Sequence, residues 1–171
     1  MKINLPDVDT LSDYYKSYLK YISEDDLMEA LIQQKEITTE FLKSIPIEKG
    51  SFRYAEGKWM LKEVIGHLSD TERILSYRAL RFSRNDSTAL SGFDENTYVP
   101  NSNHAQLSLK EISEEKTALT ALTILLFKNM NKDMPDRIGA ANNLQVSVRA
   151  ILFFIIAHER HHLKVIMEKY L

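Results

Sequence analysis

The chain has 171 residues, 44% of them hydrophobic and 27% charged, which suits one domain with enough apolar material for a single buried core. Lys and Arg number 22 against 24 Asp and Glu, so the basic excess that steers a protein to a phosphate backbone is missing and no nucleic-acid partner is expected. The absence of cysteine excludes disulfides, thiolate metal ligands and a cysteine nucleophile, so any metal must be held by His, carboxylate or water.

Residues 1–22 read as an N-terminal arm and residues from about 23 to 171 as one helical bundle, a single domain over 1–171. The start, MKINLPDVDT, lacks the charged-then-apolar run of a signal peptide, and the longest strongly apolar stretch, Ala150 to Ala157, is too short to span a bilayer. A cytoplasmic protein with no membrane partner is the expectation. The first bundle helix should begin near Ser23, ahead of Glu24, Asp25 and Asp26, and run to Pro46, with Leu27, Leu31, Ile37, Phe41 and Ile45 mostly on one side. After the loop Ile47 to Lys58, a second helix is expected from about Met60 to Arg84, with Leu61, Val64, Ile65, Leu68, Leu75, Leu80 and Phe82 at or near the core. Residues 85–107 form the longest irregular stretch, long enough to cover a functional mouth. The capping-box pattern Ser108-Leu109-Lys110-Glu111 then opens a third helix running to about Met130. Pro135 and Gly139 close the turn before a fourth helix from about Ser147 to Tyr170, apolar in its first half and rich in histidine and charge in its second. No segment shows sustained period-2 alternation, so the expected fold class is all-α, an antiparallel up-down four-helix bundle.

The chemistry concentrates in Ala157-His158-Glu159-Arg160-His161-His162 on the fourth helix. His158 and His162 are four residues apart and differ by only about 40° around the axis, so both imidazoles can face one ion. His161 lies roughly 100° from His162 and is assigned to the flank. A catalytic metal usually takes three protein ligands and leaves a position open. His67, in the apolar setting Val64-Ile65-Gly66-His67-Leu68 of the second helix, supplies the third donor, and Gly66 would let another helix come close. The metal site is therefore expected on His67, His158 and His162. Asp70, one turn on from His67, could accept the other ring proton of a ligating histidine. His104, in NSNHAQ, reads as a solvated loop residue, and Trp59 and Tyr98 as packing residues. The same run also spells H-E-x-x-H, the zinc-protease signature in which the glutamate is the general base. Against a protease stand the short remainder LKVIMEKYL after His162 and the lack of an edge strand to dock a peptide, but Glu159 remains a candidate base beside the metal, as does Asp70.

The segments FRYAEGKW, KEVIGHLSDTERILSYRALRFSR, GFDENTYV and SVRAILFFIIAHERHHLKVI, in that order, resemble the DinB-like superfamily, in the branch of YfiT-type proteins and bacillithiol transferases. The resemblance implies a four-helix bundle whose histidine triad maps onto His67, His158 and His162, a divalent metal (Zn²⁺ first, Ni²⁺ or Fe²⁺ as alternatives) and a homodimer. Some members of that family transfer a low-molecular-weight thiol to an electrophile and others carry the label of metal-dependent hydrolases. The expected function is accordingly transfer of a small thiol to an electrophilic small-molecule substrate at a three-histidine metal site. A metal-dependent hydrolase and a non-catalytic metal-binding bundle remain the alternatives. Lacking cysteine, the protein would take its sulfur from a cosubstrate.

Overall fold

A computed structural model describes residues 1–171. The elements run in chain order: α1 (Asp13–Lys16) in the arm, α2 (Leu27–Ser44), α3 (Leu61–Ser83), the short α4 (Glu95–Asn101), α5 (Leu109–Lys128), the strands β1 (Ile138–Ala141) and β2 (Leu144–Ser147), and α6 (Val148–Lys169). Side-chain caps fix the helix starts. Asp26 accepts from Met28 N–H at 3.0 Å, so α2 begins at Leu27, four residues beyond the expected start near Ser23. Glu63 reaches back to Met60 N–H at 2.6 Å to open α3. Ser108 and Glu111 form the expected reciprocal box at 3.2 and 2.8 Å, and Ser147 caps α6 through Ala150 N–H at 3.2 Å. At the far end of α3, Asn85 takes φ 59°, the left-handed conformation that terminates helices.

The four long helices make the expected bundle, and two apolar clusters show how they run. One gathers Leu27 and Leu31 from the start of α2, Leu75, Ala79 and Phe82 from the end of α3, Phe127 from the end of α5, and Val148 to Ala157 from the first half of α6. The other gathers Leu42 and Ile45, Leu61, Val64 and Ile65, Leu109 and Ile112, and Leu163, Ile166 and Tyr170 from the opposite ends. Thus α2 and α6 run one way and α3 and α5 the other. In cross-section α3 packs on α5 and α6, and α2 packs on the same two. The simple up-down alternation expected from sequence is therefore corrected to up, down, down, up. Two consecutive helices in one direction need a connection that travels back the length of the bundle, which explains the length of residues 84–108. The stretch is not wholly irregular: α4 lies in it, capped by Asp94, which accepts from Asn96 N–H at 3.0 Å.

A second correction is the hairpin. Asn142 and Asn143, with φ 50° and 61°, form the two-residue turn between β1 and β2, the left-handed pair whose twist suits a tight hairpin. At β1, a Cβ on Gly139 would lie 2.0 Å from the Phe82 ring, so only glycine lets the strand approach α3. Two residues of the expected core stripes also face outward: Ile37 is 58% and Leu80 39% exposed. The arm is folded back on the bundle, with Ile3 buried and Tyr14, Tyr15 and Tyr18 packed around Phe154 of α6. No helix is long and apolar enough to cross a membrane.

Candidate metal centre

Because α3 and α6 are antiparallel neighbours, the beginning of α3 meets the second half of α6, and His67 is brought opposite His158 and His162. The Nε2 atoms of His67 and His158 are 3.3 Å apart and those of His158 and His162 3.1 Å apart, and donor atoms of all three lie within 4.8 Å of one another. Nitrogens bound at about 2.0–2.1 Å to one tetrahedral ion are separated by about 3.3 Å, the spacing of the His67–His158 and His158–His162 pairs, so this donor set suits a divalent metal. No carboxylate joins the cluster. Burial pushes His67 down to about 4 and His162 down to about 3, and it holds His158 well below the ordinary imidazole value with the neighbouring histidines acting in the same direction. At neutral pH all three rings are therefore uncharged, the form that ligates. The remaining ring nitrogen of His67 lies 3.4 Å from Thr71 Oγ1, which fixes its orientation.

Several residues singled out in the sequence lie elsewhere. His161 is hydrogen-bonded through Nδ1 to the Tyr21 hydroxyl at 2.8 Å and stays outside the cluster. Asp70 does not touch His67: it is half-buried beside Arg73 at 3.6 Å, and Thr71 occupies the place expected for it. Glu159 turns away from the histidines into the bundle, where it accepts from Thr38 and pairs with Lys116. One step along a helix is about 100°, enough to carry it off the face that His158 uses. Lys116 also binds Glu72 Oε2 at 2.8 Å and Thr120 at 2.7 Å, and all three charged side chains are nearly inaccessible. Against the desolvation that lowers it, Glu159 and Glu72 raise the Lys116 ammonium above its ordinary value. His104 is buried rather than solvated, its ring lying where a Cβ on Gly66 would meet it at 2.2 Å, so the glycine admits this ring and not another helix.

The histidines open onto a cavity of about 1220 Å³ between α3, α6, the N-terminal arm and the hairpin. Trp59, 5.1 Å from the His67 ring, lines it with Tyr14, Tyr15, Tyr18 and Phe154, so Trp59 is a cavity wall as well as a packing residue. Tyr98 is 45% exposed against Phe93 and does not line it. The acidic residue on the cavity that acts on the histidines is Glu95, whose charge opposes the burial that lowers His67. Glu95 was not among the residues read from sequence as candidates, although it lies in the segment GFDENTYV that carries part of the family resemblance.

Comparison with known proteins agrees with this geometry at the level of fold. The chain superposes on YfiT from Bacillus subtilis, described as a probable metal-dependent hydrolase with an unusual four-helix bundle topology, with a TM-score of 0.75 at 13% identity over 96% of this chain and 91% of that one. A mycothiol-dependent maleylpyruvate isomerase gives 0.65 at 12% identity over 80% and 58% of the two chains, and a DinB-like protein from Bacillus subtilis 0.61 at 15% over 83% and 87%. No curated protein matches by sequence. The DinB superfamily model matches residues 30–166, a span that runs from α2 nearly to the end of α6. With four-fifths of its length under that model and the bundle of solved DinB-like proteins, the chain belongs to the DinB superfamily.

Proposed function

We propose that His67, His158 and His162 hold a divalent metal ion and that the protein transfers a small thiol to an electrophilic substrate there. The observation that carries this reading is the convergence of three uncharged imidazole nitrogens on a cavity of about 1220 Å³, more than one small molecule needs. Three neutral nitrogen donors suit Zn²⁺ first, with Ni²⁺ and Fe²⁺ as alternatives. When bound, the ion supplies Lewis acidity that lowers the pKa of a coordinated thiol or water. The chain's own residues do the rest. Thr71 keeps the His67 ring in register, while Trp59, Tyr18 and Phe154 wall the reactants from water. Glu95 faces the histidines from the rim and takes the proton of the thiol. The sulfur then forms its bond to the electrophilic carbon, and the leaving group departs with the bonding pair.

Thiol transfer is favoured over hydrolysis of the zinc-protease type by where Glu159 lies. Glu159, the base that an H-E-x-x-H reading would use, is locked to Lys116. The fold likeness to a mycothiol-dependent enzyme and the lack of cysteine point the same way. A homodimer belongs to the same proposal, and light scattering should give twice 19.8 kDa. The test is conjugation: Zn²⁺-loaded protein should accelerate addition of a small thiol to a haloaromatic or an epoxide, a chelator should abolish the rate, and Glu95→Gln should slow it with metal retained. Ester hydrolysis without added thiol would replace this reading with a hydrolase. No turnover across thiols, electrophiles and esters at full metal occupancy would replace it with a binding module.

A further inference from the structure

On α3, His67, Thr71, Leu75 and Arg78 all line the cavity. Eleven residues separate His67 from Arg78, which is three turns plus about 20°, so the two share a face about 16 Å apart along the axis. Helical side chains lean toward the N-terminus, which tilts Arg78 toward the histidines. Arg78 is only 8% exposed, yet it has no carboxylate partner, and its single hydrogen bond runs from Nη2 to Ser91 O at 2.8 Å. Arg78 is the one arginine of the chain that is buried; the half-buried Arg81, Arg149 and Arg160 are matched by Asp86, Asp136 and Glu24. Burying an unmatched guanidinium is costly, and burial indeed pulls Arg78 below its ordinary value, with only Tyr15 acting against it. Tyr15 lines the same cavity, its hydroxyl forms no hydrogen bond within the chain, and burial pushes it up to about 12, so it keeps its proton and can donate. A fixed cation with unused N–H groups beside a phenol free to donate has the chemistry of an anion cradle.

We infer that Arg78, assisted by Tyr15, binds a carboxylate of the molecule that occupies the cavity, so that the substrate or thiol cosubstrate carries a carboxylate at one end and its reacting group at the other, toward His67. This rests on the proposed reaction site only for the placement of the reacting end. A carboxylate fits better than a phosphate because the cradle holds one matching positive charge. The spacing calls for an extended molecule rather than a compact acid.

The test uses full-length, metal-free protein and two probes of the same shape, octanoate and 1-octanol, followed by calorimetry and by emission of Trp59, the chain's one tryptophan. Octanoate should bind at least about tenfold tighter, the worth of one charge-assisted hydrogen-bonded pair. Arg78→Gln should erase the difference, Arg78→Lys should keep part of it, and Tyr15→Phe should narrow it. Equal binding of the two probes by the native protein would overturn the inference. So would a preference that survives in Arg78→Gln folded as judged by circular dichroism, or tighter binding of octyl phosphate than of octanoate. If Arg78→Gln does not fold, the native preference and Arg78→Lys decide. Since neither metal nor turnover enters the measurement, loss of the thiol-transfer reading would leave this result standing, and the reverse holds too.

Discussion

Lys116 offers the sharpest quantitative test of the interior. Its ammonium sits between Glu72 and Glu159, with side-chain exposures of 2%, 3% and 4% for Lys116, Glu72 and Glu159. In Lys116→Met both carboxylates remain buried with no cation, and removing one partner of such a group typically costs about 3–5 kcal/mol. Against a total stability of about 5–15 kcal/mol for a domain, that is a large fraction. Urea unfolding followed by far-UV circular dichroism measures it. With a slope near 2 kcal/mol/M, a loss of about 4 kcal/mol lowers the midpoint by about 2 M. The companion variant Glu72→Gln/Lys116→Met/Glu159→Gln removes all three charges together and should recover most of the loss, because the cost lies in uncompensated charge rather than in missing attraction. A Lys116→Met midpoint within about 0.5 M of native would refute the reasoning, as would a triple variant no more stable than the single one.

The remaining predictions address the site. His67→Ala, His158→Ala and His162→Ala should each strip most of the bound metal, whereas His161→Ala, which loses only its bond to Tyr21, should retain it; elemental analysis of tag-free protein reads the result. Metal affinity should vary little from about pH 7.5 down to 5.5 and collapse nearer pH 4, because His67 and His162 titrate near 4 and 3 rather than in the ordinary imidazole range. Steep dependence between pH 5.5 and 7.5 in metal titrations would show that the rings are not desolvated as described. The same shifts act on the metal-free fold. His67 has a lower folded than unfolded pKa, so the unfolded chain binds the extra proton, and about 3 kcal/mol present above pH 6.5 should be lost as pH falls toward 4 in chemical denaturation series. Gly66→Ala should destabilise by about 1–3 kcal/mol in thermal melts, since a methyl there meets the His104 ring, although alanine in a helix interior ordinarily gains about 1 kcal/mol over glycine.

What the sequence made legible was whatever lay within one helix. The i,i+4 pair His158 and His162, the Ser108–Glu111 box and the apolar first half of α6 are local patterns, and each appears where expected. The directions of the helices were not legible, because apolar stripes say which face is buried but not which neighbour covers it. The hairpin was missed since its strands are four residues each and too short to establish a period of two; only Asn142-Asn143 marked the turn. Asp70 suits a ring-proton acceptor by its chemistry, but the orientation of the His67 ring, which no local pattern reveals, brings its second nitrogen to Thr71 at i+4 rather than to i+3. His104 looked solvated because its neighbours are polar; nothing local reveals that Gly66, 38 positions earlier, leaves room for its ring. Lys116 had no sequence signal at all, being one charge among many on α5.

The topology and the site are connected by a single geometric requirement. Parallel α3 and α5 oblige residues 84–108 to return along the bundle, and this return carries Glu95 to the cavity, Ser91 to Arg78 and His104 to Gly66. An alternating bundle could join α3 to its successor with a short turn and would leave the α3–α6 groove open to solvent on that side. Here the groove is closed by three segments that are not bundle helices: the arm with Tyr14, Tyr15 and Tyr18, the crossover, and the β1–β2 hairpin with Asn142. The bundle fixes the histidines and Arg78 on packed helices, where buried neighbours hold their rotamers, while the covering segments add Tyr15, Tyr18 and Glu95 to the cavity. Differences in chemistry among proteins that share this bundle are therefore expected to arise in residues 1–22, 84–108 and 138–147 more than in the four helices, because those segments can change the shape and charge of the cavity without moving the three nitrogens.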